Sequence, residues 1–203
     1  MRHAWLLGIV FLGCSSSSSS GTGTPAATAP DAAPTSAAYP AGPYGVEVGD
    51  TIANLSFAGW SAPPYAAPGG TLSLADFYGP KWKLVVVNVC SVWCGPCKAA
   101  YAAFKEKAAD YGAKGVAMVT ILYENSDAKP ISLDEGAKYG TDNGIAIPLG
   151  IDPGYQLSNG VRPAEVPAYI VLSAHDMRVL GTTKSADDAP PWAFVDQKLS
   201  EIQ

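Results

Sequence analysis

The stretch Lys83-Leu-Val-Val-Val-Asn-Val89 runs straight into Cys90-Ser-Val-Trp-Cys-Gly-Pro-Cys97, and no other feature limits the fold so tightly. A continuous β-branched run without polar alternation is expected of a strand buried on both faces. Beyond the cysteines, Lys98 to Tyr111 is rich in alanine. Cys97, Tyr101, Phe104, Ala108 and Tyr111 recur there at spacings that place them on one face of an amphipathic helix. Gly112 and Gly115 bracket its end, and Val116 to Leu122 forms the next apolar strand. Strand, helix, strand in that order predicts a parallel pair with a right-handed crossover. The expected class is therefore α/β, a central mixed sheet flanked by helices.

The remaining segments extend this unit. The domain is expected over 45–203, with Ile52, Leu55 and Phe57 in a short half-buried strand and a Pro/Gly-rich loop from Trp60 to Gly70. Ser132-Leu-Asp-Glu135 matches a capping box and predicts a second helix. Ile145 to Leu149 reads as a short strand. Ala168 to Leu172 and Arg178 to Leu180 read as a hairpin around a turn at Ser173 to Met177. Pro190 and Pro191, after Asp187 and Asp188, suit the start of a terminal helix that turns Trp192, Val195 and Leu199 to the core.

The N-terminus has the pattern of a targeting segment. Arg2 and His3 precede an apolar run from Trp5 to Leu12 that is too short for a permanent bilayer span. Phe11-Leu12-Gly13-Cys14 resembles the lipobox of bacterial lipoprotein signal peptides, which implies residues 1–14 as the signal segment and lipid carried on Cys14. The other reading is an ordinary cleaved secretory signal. Both put the domain in an oxidising compartment, the periplasm or cell envelope. Residues 15–44 begin with six serines and continue as a Ser/Thr/Ala/Pro tract, a composition that cannot bury enough apolar surface to fold. They are expected to act as a disordered tether between membrane and domain. The net charge of -5, with no basic block, leaves no electrostatic footprint for nucleic acid.

Of the four cysteines, three lie within the one cluster, which suits chemistry better than a disulfide scaffold. Cys94 falls where a buried strand turns into a helix. Unpaired N–H groups and the positive end of the helix dipole stabilise a thiolate there and lower its pKa. Cys97 follows one turn later on the same face, within bridging reach. Pro96 fits a first turn that needs no donor, and Gly95 leaves room for a substrate chain. Trp93 is either a flat apolar rim beside the reactive sulfur or ordinary packing. Disulfide exchange through Cys94, with Cys97 resolving the mixed disulfide, is the chemistry this arrangement implies. A zinc site lacks ligands, since His175 is the only histidine after His3.

The string Val85-Val-Val-Asn-Val-Cys-Ser-Val-Trp-Cys-Gly-Pro-Cys97 resembles the active-site stretch of thioredoxin-fold proteins, above all the TlpA-like extracytoplasmic thiol–disulfide oxidoreductases. Val48-Gly49-Asp50 and Leu72-Ser-Leu-Ala-Asp-Phe77 resemble that family's N-terminal extension, and Ser132 to Leu149 its central helix–strand insertion. The resemblance implies that Pro167, in Val166-Pro167-Ala168-Tyr169, is a cis-proline opposite the dithiol, with Val166 pairing to the substrate backbone. From the residues alone, the reading is instead a trans proline opening an edge strand. The resemblance also implies a monomeric reductase of protein disulfides that needs no bound cofactor. With no nicotinamide or flavin motif in the chain, a membrane-embedded electron donor must recharge it.

Departures from the pattern matter. Asn88 stands where thioredoxin has a buried aspartate, and Ala100 where some relatives have a glutamate, so no proton acceptor is assigned. Glu124 is a candidate, or else a solvated loop carboxylate; Glu165 either shapes substrate choice or is exposed and inert. A non-catalytic binding module that merely keeps the fold is opposed by the intact dithiol, and two rival functions remain. Cys90-Ser-Val-Trp-Cys94 resembles the copper site of Sco-type proteins, with His175 as the third ligand. A peroxiredoxin-like thiol peroxidase is the other rival, although Val87 occupies that family's proline position.

Overall fold

The computed structural model describes residues 38–161, 166–183 and 190–202. The signal segment 1–14 with Cys14, most of the tether, Glu165, Asp187 and Asp188 lie outside the described residues. The strands are β1 (Ser56–Trp60), β2 (Gly70–Ser73), β3 (Leu84–Cys90), β4 (Val116–Leu122), β5 (Leu149–Ile151), β6 (Ala168–Ser173) and β7 (Val179–Thr183); the helices are α1 (Gly95–Ala113), α2 (Leu133–Asp142), α3 (Ser158–Val161) and α4 (Trp192–Glu201). They build one seven-stranded mixed sheet in the order β2-β1-β5-β4-β3-β6-β7.

The centre of that sheet follows from β-branched sequence. Every residue of β3 and β4 is buried, as a strand covered on both faces requires. β3 pairs in parallel with β4, Leu84 against Val116 through Cys90 against Leu122, and antiparallel with β6, Leu84 against Ser173 through Val89 against Ala168. Helix α1 is the crossover between β3 and β4, and it turns Cys97, Ala100, Tyr101, Phe104 and Tyr111 into the core. Ala108, expected on the same face, is partly buried. Among the described residues, no helix is long and apolar enough to cross a membrane.

Local signals set most boundaries. The capping box at α2 forms in both directions: Glu135 N–H donates to Ser132 Oγ at 3.3 Å, and Ser132 N–H donates to Glu135 Oε2 at 2.8 Å. Such a cap stabilises a helix by about 1 kcal/mol. Pro191 is the residue before α4. There Val195 is fully buried, while Trp192 and Leu199 are partly buried. Trp192 lies against Phe104 and Tyr111, with ring centroids 5.2 and 5.0 Å apart.

Three expectations shift. The short strand placed at Ile145 to Leu149 lies instead at Leu149–Ile151. Pro148 has no N–H to give to a ladder, and the Tyr65 hydroxyl donates to the carbonyls of Ile145 and Ile147 at 3.1 and 2.6 Å. The first strand starts at Ser56, because Ile52 is engaged elsewhere: its N–H donates to the Met177 carbonyl at 3.0 Å. β1 then continues through Trp60 and pairs with β2, a strand hidden behind the Pro/Gly-rich loop. Finally, part of the expected tether is ordered. Tyr39 donates its hydroxyl proton to the Ile52 carbonyl at 3.0 Å, and Tyr44 bridges to Thr51. Gly49 and Asp50 exchange backbone bonds with Val179, both 2.8 Å, so residues 49–52 cover the start of edge strand β7.

Gly59 marks the closest approach in the sheet. A Cβ there would fall on the Leu149 carbonyl oxygen and within 2.9 Å of the Gly150 Cα. Gly59→Ala is therefore expected to destabilise the domain by about 2–3 kcal/mol through forced separation of β1 from β5. Urea unfolding checks this; a midpoint equal to the parent's refutes the close-packing account.

Candidate active site

β3 ends at Cys90, and the chain turns through Ser91, Val92 and Trp93 before α1 begins. The turn is fixed by backbone bonds. Cys94 N–H donates to the Ser91 carbonyl at 3.2 Å, and Val92 N–H to the Glu124 carbonyl at 2.9 Å. Cys94 is consequently the residue that caps α1. Its Sγ accepts a hydrogen bond from the Cys97 N–H at 3.1 Å, and Pro96 fills a first-turn position that needs no donor. Cys94 and Cys97 are joined as a disulfide, with Cα atoms 5.4 Å apart. The N–H that caps the helix also favours charge on the Cys94 sulfur once the pair is reduced.

The opposite wall comes from the start of β6. The Val166–Pro167 peptide is cis, and the Val166 carbonyl oxygen stands 3.2 Å from Cys94 Sγ. Both residues are buried, as are Cys94 at 2% exposure and Cys97 at 0%. Gly95 and Pro96 are exposed, and a Cβ on Gly95 would meet nothing within 4 Å. Trp93 is 48% exposed. It is held in place, however: its indole N–H donates to Glu124 Oε2 at 2.7 Å. The structure thus brings Trp93, Cys94, Gly95, Pro96, Cys97, Val166 and Pro167 to one end of the sheet.

Glu124 sits in the loop after β4. Its carboxylate takes the Trp93 indole on one oxygen and, on the other, the Tyr155 hydroxyl at 3.3 Å. Among the described residues these are its side-chain hydrogen bonds, and neither reaches a cysteine. Tyr155 has φ of 55°, a left-handed conformation that costs a non-glycine residue about 1 kcal/mol or more. The loop around it is organised by Asp152, fully buried, whose carboxylate accepts N–H bonds from Gln156 at 2.8 Å and Leu157 at 3.0 Å. Tyr155 had no signal in the sequence, because a lone tyrosine in a loop carries no periodicity.

Beneath the dithiol, polarity is buried but poor in acids. Asn88 is fully buried; its amide donates to Thr120 Oγ1 at 3.4 Å and its carbonyl oxygen accepts from the Cys90 thiol at 3.2 Å. Burial pushes the Cys90 thiol up to about 12. Cys90 is therefore a protonated structural thiol at neutral pH. Ala100 is buried and offers no carboxylate.

The copper reading fails on geometry. His175 is exposed in the turn between β6 and β7. That turn lies beside Leu84 at the start of β3, whereas Cys90 closes its far end. A strand of that length separates them by about 20 Å, so Cys90, Cys94 and His175 cannot share an ion. No cluster of three or more His, Cys, Asp or Glu side chains suited to a metal occurs among the described residues.

The model of the AhpC/TSA family matches residues 48–171. A curated relative, the chloroplastic thioredoxin X of Arabidopsis thaliana, is 32% identical over 87 residues, 42% of this chain and 46% of that protein. The chain thus spans about half the length of the curated relative it matches. Among solved structures, the secreted thiol-disulfide isomerase of Corynebacterium glutamicum aligns with TM-score 0.57 at 19% identity, over 75% of this chain and 85% of that one. The thioredoxin domain of a thiol-disulfide oxidoreductase from Bacteroides vulgatus aligns with TM-score 0.57 at 13% identity, covering 75% and 98%. AhpC of Mycobacterium tuberculosis aligns with TM-score 0.58 at 12% identity, covering 78% and 94%. These likenesses show a thioredoxin-like fold.

The burial of Cys90 has a direct chemical readout. In the native domain with its disulfide intact, iodoacetamide at pH 8 is expected to leave Cys90 unmodified, and full labelling should appear only on denaturation. Peptide mass spectrometry checks this; rapid native labelling of Cys90 overturns the buried, protonated assignment.

Proposed function

Because the chain belongs to the AhpC/TSA family, we propose that its thioredoxin-like domain is a thiol–disulfide oxidoreductase that reduces protein disulfides through Cys94 and Cys97. One observation carries the reading: the two cysteines are bonded at the head of α1, with Cys94 capping the helix and facing the cis Val166–Pro167 peptide. The structural likeness to thiol–disulfide oxidoreductases supports it at the level of fold.

In the reduced enzyme, Cys94 attacks one sulfur of the client disulfide as a thiolate. That bond breaks, the client's other sulfur leaves as a thiolate and takes a proton, and a mixed disulfide forms. Cys97 then loses its proton and attacks Cys94 Sγ. The second client sulfur departs, so the client carries away two electrons and the Cys94–Cys97 disulfide is left behind. Val166 offers backbone to an extended client strand, while Gly95 and Pro96 leave its path open. Asn88, an amide in the place of a carboxylate, cannot accept the Cys97 proton.

The N-terminal pattern extends the proposal to location. Lipid on Cys14 and the Ser/Thr/Ala/Pro tether would hold a monomeric domain at the membrane of the cell envelope. There, a membrane-embedded donor supplies the electron pair that returns the disulfide to two thiols. The Gly-Pro between the cysteines favours reduction over oxidation.

Insulin reduction tests the activity. Cys94→Ser is expected to drop the rate to background, and Cys97→Ser to accumulate a client mixed disulfide visible on a non-reducing gel. A reduction potential near the thioredoxin value of about −270 mV fits a reductant, and one near about −120 mV reverses the direction. Full peroxide consumption by Cys97→Ser, without insulin reduction by the parent, would replace this reading with a thiol peroxidase.

A further inference from the structure

We propose that Glu124 and Tyr155 are positioning residues that clamp Trp93 as a fixed apolar wall beside Cys94, selecting extended polypeptides with an aromatic or large aliphatic side chain next to the disulfide cysteine. The inference rests on the oxidoreductase reading for its substrate but not for its geometry.

Among the described residues, only Tyr44, Val48 and Trp93 are large apolar side chains that stand exposed. Tyr44 and Val48 precede the segment that pairs with Met177 to Val179. Trp93 alone lies at the dithiol. A surface tryptophan ordinarily samples several rotamers, yet this one gives its N–H to a carboxylate at 2.7 Å, a charge-assisted bond. The carboxylate is in turn pinned from two sides. Its own backbone carbonyl accepts the Val92 N–H at 2.9 Å, tying the loop after β4 to the turn that carries Trp93. Its second oxygen accepts the Tyr155 hydroxyl, and the Tyr155 ring rests edge-on against Tyr123 at 5.8 Å.

Tyr155 reaches that position because its backbone is left-handed and because Asp152, buried at the end of β5, gathers the N–H groups that follow. A loop beyond the active-site turn therefore fixes the orientation of the one apolar surface a client meets first. A flat, immobile indole favours an aromatic or branched aliphatic partner, which loses little entropy on stacking. Gly95, open above the disulfide, admits the client backbone that would carry such a side chain.

Two measurements test this. Indole N–H exchange followed by NMR reads the clamp without any activity: the Trp93 signal, assigned by its loss in Trp93→Phe, is expected to be protected in the parent and Glu124→Gln. It should exchange at least tenfold faster in Glu124→Ala. Steady-state reduction of an unfolded, disulfide-bearing polypeptide reads the consequence. Glu124→Ala is expected to raise KM about fivefold to tenfold with kcat changed less than twofold, Tyr155→Phe to raise it by less, and Glu124→Gln to restore most of it. Trp93→Phe should match Glu124→Ala, and the double variant should add nothing further. A freely exchanging Trp93 indole in the parent overturns the clamp. So does a Glu124→Ala effect confined to kcat and undiminished in the Trp93→Phe background, which would put Glu124 in the proton chemistry of the sulfurs. An unreactive parent with a protected indole would sink the oxidoreductase reading and leave the clamp standing.

Discussion

Everything at the dithiol depends on a buried strand ending where a helix begins. β3 is paired on both edges and covered on both faces, so its last residue has one position in space. Helix α1 must therefore start close to that point, and one of its unpaired first-turn N–H groups, that of Cys97, falls on the Cys94 sulfur. Neither cysteine would be unusual on a loop. Fixed at a helix head, one becomes the acceptor of a backbone hydrogen bond and the other its neighbour one turn on.

How much of this was legible depends on the kind of signal. The centre of the sheet was, because β3, β4 and β6 are short apolar runs whose burial is written in their composition. The α2 cap was also legible, since Ser132 and Glu135 satisfy each other locally. The edges were not. β2 is hidden because Gly70 and Thr71 carry no apolar pattern, and β5 moved because a tyrosine some eighty residues away takes the carbonyls before it. Contacts of that range leave no local trace.

The site divides the same way. Cys94 and Cys97 announce themselves by spacing and by the strand before them. Glu124 could be noticed as a carboxylate near the end of β4, but its partners could not. Its bonds to Trp93 and Tyr155 span about thirty residues each way and turn a candidate base into a fixture for a side chain. His175 shows the converse: a plausible ligand by composition is removed by its place at the wrong end of β3.

The pairing of residues 49–52 with 177–179 carries a consequence for reach. These residues pack at the pole where β3 begins, beside the β6–β7 turn, one strand length, about 20 Å, from the sulfurs. Residues 39–52 thus lie at the pole opposite the dithiol. A partner approaching Trp93 and Cys94 meets the other pole, so the seam that closes the edge of β7 and the surface that does the chemistry do not compete for the same space.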